Sequence, residues 1–141
     1  MKNFLYPAKI EKGEDCFFLV TFRDIKFAAT DGRTIEEAKE EAVDSLNEAL
    51  ASIISDNEPL PLPTKPKKGE YLIAPDALIA AKAALYVAVK EEGLSKTALA
   101  KRLNLSEAVG RRLLDPNYQT KIINIDKALT AMGRKMIIGY A

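Results

Sequence analysis

The chain contains no histidine and no tryptophan, and it has a single cysteine. Without histidine, Ser-His and Cys-His nucleophilic catalysis are excluded, as is every metal site that uses an imidazole ligand. The one cysteine, Cys16, rules out an internal disulfide framework; its apolar neighbours predict a small buried side chain rather than a nucleophile. No apolar run is long enough to span a bilayer. The opening MKNFLYPAKIEKGED has neither an apolar signal core nor a small-residue cleavage site, so a cytoplasmic protein with no membrane partner is expected. No glycine-rich phosphate loop or metal-ligand cluster is visible, and neither a cofactor nor a metal is expected.

What is present is ordinary globular material, 141 residues of which 48% are hydrophobic, enough for one medium domain or two small ones. The formal net charge of +1 conceals an asymmetry. Residues 1–75 carry 10 Lys and Arg against 14 Asp and Glu, a net of −4; residues 76–141 carry 11 against 6, a net of +5. An acidic half joined to a basic half implies two surfaces with two partners, one of them polyanionic. The alternative is an uneven scatter of solvated charge.

In the first half, Lys2 to Ile10 places Phe4, Tyr6, Ala8 and Ile10 on one face, the period-two pattern of a half-buried strand. Lys12-Gly13-Glu14 supplies a turn. Cys16 to Phe22, CFFLVTF, is nearly continuous apolar and β-prone, which predicts a strand covered on both faces. After a turn marked by Asp24 and Lys26, Phe27 to Thr30 makes a third strand that Asp31-Gly32 ends. Thr34 and Glu37 form a capping box for a helix reaching about Ser55. Ile35, Ala38, Ala42, Leu46, Ala49, Leu50 and Ile53 line its inner face, and Glu36, Glu37, Glu40, Glu41, Asp44 and Glu48 its outer one. Residues 56–69 hold four prolines and are expected to be an extended, stiff connection. Glu70 to Ala74 predicts a fourth strand. Pro75 then opens, at its first turn, a helix that runs to about Glu92 and stops at Gly93.

The second half centres on Leu94 to Met132, which reads as three short helices. Ser95 caps the first, with Ala98, Leu99 and Leu103 inward; Asn104-Leu105 breaks it. Ser106 caps the second, with Leu113 and Leu114 inward, and Asp115-Pro116-Asn117 stops it. Ile125, Ala128, Leu129 and Met132 stripe the third. Two helices joined by so short a break are the arrangement that seats the second in a DNA major groove. After Gly133, Arg134 to Ala141 (RKMIIGYA) reads as a short strand with no partner in its own domain, so pairing with its twin predicts a homodimer or higher oligomer; the alternative is a frayed tail.

The segment LSKTALAKRLNLSEAVGRRLLD is similar to the helix-turn-helix of the phage-repressor (Xre-like) family. By position in that motif, Glu107, Ala108, Val109 and Arg112 face the groove, Arg112 suited to guanine and Glu107 to cytosine. Lys96, Thr97, Ser106, Arg111, Asn117, Tyr118 and Lys121 are the candidates for phosphate contacts. Gly110 stands where the motif normally carries a branched apolar residue. Either Val109 turns inward to fill the gap and leaves the DNA-facing set, or the recognition helix is looser than usual.

The whole chain resembles the HicB family, the antitoxins of HicA–HicB toxin–antitoxin systems. The pieces that carry the resemblance are Tyr6-Pro7, Phe22-Arg23-Asp24, Thr30-Asp31-Gly32-Arg33-Thr34 with Glu37-Ala38, and Pro59-Leu60-Pro61-Leu62-Pro63, in that order. It implies a partial RNase H-like N-terminal fold that masks a small ribonuclease toxin, and a C-terminal domain that represses the operon at its operator. One departure is that Ile25 and Lys26 follow Asp24 where family members often place a proline. An RNase H-like nuclease needs carboxylates converging on metal ions, one usually on the first strand, yet Asn3 to Ile10 holds no Asp or Glu. No enzymatic activity is expected.

The fold expected is therefore α+β: a β-β-β-α-β domain over 1–75, including the Pro-rich connection 56–69, and an all-α helix-turn-helix and dimerisation domain with a short C-terminal strand over 76–141. The expected function is neutralisation of a small basic ribonuclease toxin together with repression through operator double-stranded DNA. Candidate toxin contacts are Asp24, Lys26, Glu36, Glu40, Glu41 and Asp44, whose acidic members suit a basic partner. The rival is a stand-alone transcriptional regulator whose α+β domain senses a ligand.

Overall fold

In the computed structural model, which describes residues 1–141, the chain forms β1 (Tyr6–Lys12), β2 (Phe18–Phe22), β3 (Ala29–Gly32), α1 (Ile35–Ser55), β4 (Tyr71–Ile73), α2 (Ala77–Glu92), α3 (Lys96–Arg102), α4 (Glu107–Leu114) and α5 (Ile122–Ala131). This is a mixed α+β chain with one four-stranded antiparallel sheet, ordered β3-β2-β1-β4, and five helices. Its contacts separate Met1–Ala80 from Ala81–Ala141.

In the first unit, β1 and β2 pair with Ala8 opposite Phe22 and Ile10 opposite Val20, and β2 pairs with β3 with Val20 opposite Thr30. Tyr6, Ala8, Val20 and Phe22 enter the core, while Leu19 and Thr21 of β2 are exposed. The strand expected to be covered on both faces is thus covered on one, the face on which α1 lies. Cys16 is also exposed, contrary to expectation. It lies in the β1–β2 turn, in the left-handed region (φ 66°), where Gly13 N–H donates to Phe17 C=O at 2.7 Å. Two further boundaries move. β1 starts at Tyr6 rather than Lys2, and β3 is Ala29–Gly32 rather than Phe27–Thr30, leaving Phe27 66% exposed in the preceding loop. Asp31 pairs with Leu19 and Gly32 with Phe18, so the expected breaker ends inside the ladder. Ile25, which follows Asp24, is buried and anchors that loop.

Thr34 caps α1 by accepting from Glu37 N–H at 3.0 Å. The helix buries Ala38, Ala42, Leu46, Ala49, Leu50, Ile53 and Ile54 against the sheet. Each fully buried leucine or isoleucine of this set contributes about 1.5–3 kcal/mol of apolar burial. Gly32 lets the end of β3 meet the first turn of α1: a Cβ there would stand 2.4 Å from Ala38 N and 2.7 Å from Ala38 Cα.

The Pro-rich stretch is held at several points along the same unit. Tyr6 OH donates to Pro61 C=O at 2.7 Å. Thr64 donates to Asp24 through both its N–H and its hydroxyl, each at 2.9 Å. Arg23 donates to Thr64 Oγ1, to Lys65 C=O at 3.0 Å and to both oxygens of Glu70, whose Oε1 also receives Lys67 N–H at 2.6 Å. The guanidinium beside Glu70 holds that carboxyl below the usual carboxylate range. Three separate pieces of sequence singled out for the resemblance, Tyr6-Pro7, Phe22-Arg23-Asp24 and the proline run, therefore meet here. Beyond the strap, β4 enters antiparallel to β1 with Tyr6 opposite Ile73. Pro75 precedes α2 instead of sitting in its first turn: Asp76 occupies the cap position, its C=O accepting from Ala80 N–H and its N–H donating to Asn47 Oδ1 at 2.9 Å.

In the second unit, Ser95 and Ser106 cap α3 and α4 by accepting from Ala98 N–H and Val109 N–H. Asn104 takes the left-handed conformation between them (φ 56°), which a short polar side chain tolerates. Gly110 is buried, and a Cβ on it would lie 2.5 Å from Ala100 Cβ. The missing side chain is what brings α4 onto α3, so Val109 has no gap to fill and stays 38% exposed. Of the two alternatives left open by the sequence, neither holds: the helix is tightly seated and Val109 remains outside. Ile125, Ala128, Leu129 and Met132 are buried, as the stripe predicts. The expected C-terminal strand is not formed; residues 134–141 lack regular structure, because β-prone residues make a ladder only where a neighbouring strand receives their backbone groups. Ile137, Ile138 and Tyr140 there are exposed.

Candidate functional site

Capping decides what α4 presents. With Ser106 Oγ holding the first turn, Glu107, Ala108 and Val109 are exposed in succession, Gly110 turns inward, and Arg111 and Arg112 are exposed again. Lys96 and Thr97 stand exposed in the first turn of α3. Thr97 Oγ1 and Arg111 Nη2 both donate to Glu107 Oε1 at 3.0 Å, so three of the sequence candidates form one cluster. Arg112 belongs to a second: its guanidinium carbon sits 5.3 Å from the centroid of the Tyr118 ring, a cation–π geometry. Asn117 is exposed, with its N–H donated to Asp115 Oδ1 at 2.9 Å, and Lys121 stands exposed at the start of α5. The surface formed by α4, the first turn of α3 and the α4–α5 loop is polar, cationic at Lys96, Arg111, Arg112 and Lys121, and carries two carboxylates, Glu107 and Asp115.

Beneath it lies a residue the sequence did not single out. Lys82, in α2, has no exposed surface. Its ammonium donates to Arg112 C=O and to Thr120 Oγ1, each at 2.6 Å, and Thr120 Oγ1 donates to the same carbonyl at 3.2 Å. Arg112 C=O belongs to the last turn of α4, at the negative end of the helix dipole, which favours a cation. Burial nevertheless pushes the Lys82 ammonium down to about 8, with Asp115 opposing the shift. The signal was there to read: Lys82 is the lone charged residue between Ala77 and Val89. A charge inside an apolar helical stretch marks either an exposed edge or a buried contact.

The sign of the resulting pH effect follows from the proton balance. The unfolded chain holds the Lys82 proton up to about 10.5, the folded chain only to about 8, so between these values the unfolded state binds more protons and stability rises with pH. Denaturation at pH 7.5 and 9.5 is expected to show the second unit gaining up to about 2 kcal/mol from this group. Lys82→Met removes that increment, and an equal gain in the variant would refute the assignment.

Glu92 holds the second unit at another point. Its carboxylate receives Arg134 at 2.9 Å and Arg102 at 3.4 Å, and these hydrogen bonds keep it below the usual carboxylate range.

In the first unit the sequence candidates do not form one site. Asp24 is turned into the Pro-rich strap with both oxygens on Thr64. Lys26 is exposed in the β2–β3 loop beside exposed Phe27, which the sequence pattern places in a strand. Glu36, Glu40, Glu41 and Asp44 are exposed along α1. No three Cys, Asp or Glu side chains come together in a metal-ligating group. No helix is long and apolar enough to cross a membrane.

Residues 5–84 match the family model of the HicB-like antitoxins of bacterial toxin–antitoxin systems. Antitoxin HicB 1 of Photorhabdus laumondii is 33% identical over 138 residues, covering 98% of this chain and 88% of its own. Antitoxin HicB 2 of the same organism is 35% identical over 135 residues, covering 96% and 95%. Antitoxin HicB of Escherichia coli strain K12 is 30% identical over 131 residues, covering 93% and 95%.

Proposed function

Because the chain belongs to the HicB-like antitoxin family, we propose that it neutralises a small basic ribonuclease through its first unit and represses its own operon through its second. The protein is an antitoxin of a toxin–antitoxin system. The observation that carries the DNA-binding reading is the α3–α4 surface: two serine-capped helices across a tight break, with Glu107, Ala108, Val109, Arg111 and Arg112 all exposed on the second. That is the presentation a helix-turn-helix needs to bring base-reading side chains into a major groove, with Lys96, Thr97, Ser106, Asn117, Tyr118 and Lys121 on the flanking phosphates. In this reading the protein works in the cytoplasm as a homodimer or higher oligomer, its C-terminal segment 134–141 forming a strand only against a second copy.

For the first unit, the support is charge and exposure. The carboxylates of α1 complement a protein that must bind RNA, and the loop carrying Lys26 and Phe27 offers an aromatic that desolvates on contact. That this unit is a partial RNase H-like fold without the enzyme's chemistry is what the HicB resemblance implies, and its β-β-β-α order is compatible with that. Asp24, a carboxylate just past the end of β2, is committed to Thr64, which favours a binding role over a catalytic one.

The test has two arms. Purification of the full chain from its native cells is expected to capture a small basic protein encoded beside it; a chain that comes out alone sinks the antitoxin mechanism in favour of a ligand-sensing regulator. A mobility-shift experiment with the duplex upstream of its own gene is expected to show retention that weakens steeply with salt. Arg112→Ala lowers that affinity by about 1–3 kcal/mol and relaxes preference at one base, whereas Lys121→Ala lowers the salt slope by about one. Equal binding of both variants would remove these residues from the interface.

A further inference from the structure

The second unit contains an ammonium buried where an apolar side chain of similar size would fit, which raises the question of what the charge is for. Replacing a buried charge with a hydrophobic group is often neutral or stabilising, so stability alone does not account for Lys82. What it touches is more specific. Arg112 C=O is the carbonyl of a residue whose side chain faces outward over Tyr118, and Thr120 lies in the loop that carries Asn117, Tyr118 and Lys121. Besides Lys82, that carbonyl receives Thr120 Oγ1 at 3.2 Å and Asp115 N–H at 3.3 Å. Both are longer contacts than the 2.6 Å bonds from the ammonium, and bonds to a charged donor are the stronger kind. The last turn of α4 and the loop 115–121 thus share one buried anchor.

We infer that Lys82 is a positioning residue: from within the unit it fixes the α4–α5 loop to the end of α4, so that Arg112, Tyr118 and Lys121 form one rigid surface. Its consequence for DNA rests on the operator-binding reading given above. The claim about the loop does not.

Because the chain has no tryptophan, Tyr118→Trp places a single reporter in the loop. Lys82→Met, which keeps the apolar stem and deletes the three donors, is compared with its parent as the full chain, in that background for quenching and with Tyr118 kept for duplex affinity. Helical content and melting midpoint are expected to be held or raised. Acrylamide quenching of the tryptophan is expected to rise, and affinity for the duplex upstream of the gene to fall about tenfold, the effect of losing hydrogen bonds from a charged donor. A residue with only a structural role would lower the melting point and the affinity together. Thr120→Val cuts the same anchor from the loop side, and it decides the matter if Lys82→Met does not fold. Unchanged quenching in the folded variants overturns the inference. If the chain that keeps Tyr118 does not retain the duplex, the DNA-binding reading fails, while the quenching result still decides whether Lys82 holds the loop.

Discussion

Gly32→Ala is expected to unfold the first unit at temperatures where the parent is stable, and with it to abolish capture of the partner protein. The added methyl would stand 2.4 Å from the backbone nitrogen of Ala38 and 2.9 Å from the carbonyl carbon of Glu37. These are backbone atoms in the first turn of α1, pinned by the Thr34 cap, so no side-chain rotation relieves the overlap. Either β3 or the helix start must shift, and both are registered: Gly32 against Phe18, and Ala38 in the core. Overpacking of this kind costs about 3 kcal/mol or more when nothing flexible yields. A unit of this size has a total stability only a few times that. Gly139→Ala is the control, since nothing lies within 4 Å of a Cβ there. Thermal melts and pull-down of the partner from the same preparations provide the measurement. A melting point within a degree or two of the parent would show that β3 and α1 are not in close contact.

The second large effect is expected at Gly110, and there it runs against helix propensity. Alanine in a helix interior is about 1 kcal/mol better than glycine, so an isolated α4 would be stabilised by Gly110→Ala. In the folded unit the new methyl meets Ala100 Cβ at 2.5 Å and Ala100 Cα at 3.1 Å, which pushes α4 off α3. The overpacking penalty of about 1–3 kcal/mol exceeds the propensity gain, and the net result is destabilisation with loss of retention on the upstream duplex. The decisive measurement is a double-mutant cycle with Ala100→Gly. That substitution alone is unfavourable, but paired with Gly110→Ala it removes the closest contact, so the two are expected to couple favourably by about 1 kcal/mol or more. Additive effects would mean that the two helices do not touch at this point.

These two glycines show where sequence reading works and where it stops. The inner face of α1 was legible residue by residue, because Ala38, Ala42, Leu46, Ala49, Leu50 and Ile53 repeat at helical spacing and Thr34 announces the start. The serine caps of α3 and α4 were legible for the same reason: a cap is a local interaction, three residues wide. What depends on distant partners was not. Asp31-Gly32 looks like a turn until Leu19 and Phe18 are known to lie opposite. CFFLVTF gives no hint that one of its faces is left open, or that Cys16 belongs to the turn. Arg23 and Asp24 read as turn polarity because their partners, Thr64 and Glu70, are 40 and 47 residues away. Lys82 escaped because periodicity assigns a charged residue to the surface, whereas here two oxygens from later elements bring it inside. Of the candidate interface, the exposure of Glu107, Ala108, Val109, Arg111 and Arg112 follows from Ser106 as N-cap, while the joining of Thr97, Glu107 and Arg111, and of Arg112 with Tyr118, required the fold.

The strap between α1 and β4 has a practical corollary for anyone who wants the first unit by itself. A fragment ending after α1, at Ser55, looks complete by its helix and its three-stranded meander. It would leave one margin of β1 without a neighbour, Tyr6 without Pro61, and the Arg23–Asp24 pair without the threonine and glutamate that occupy it. An unpaired strand margin of this kind invites association between copies. Truncations should therefore run at least through Ile79, which packs on the same core, and insertions are better tolerated at the β1–β2 turn than anywhere between Pro59 and Glu70.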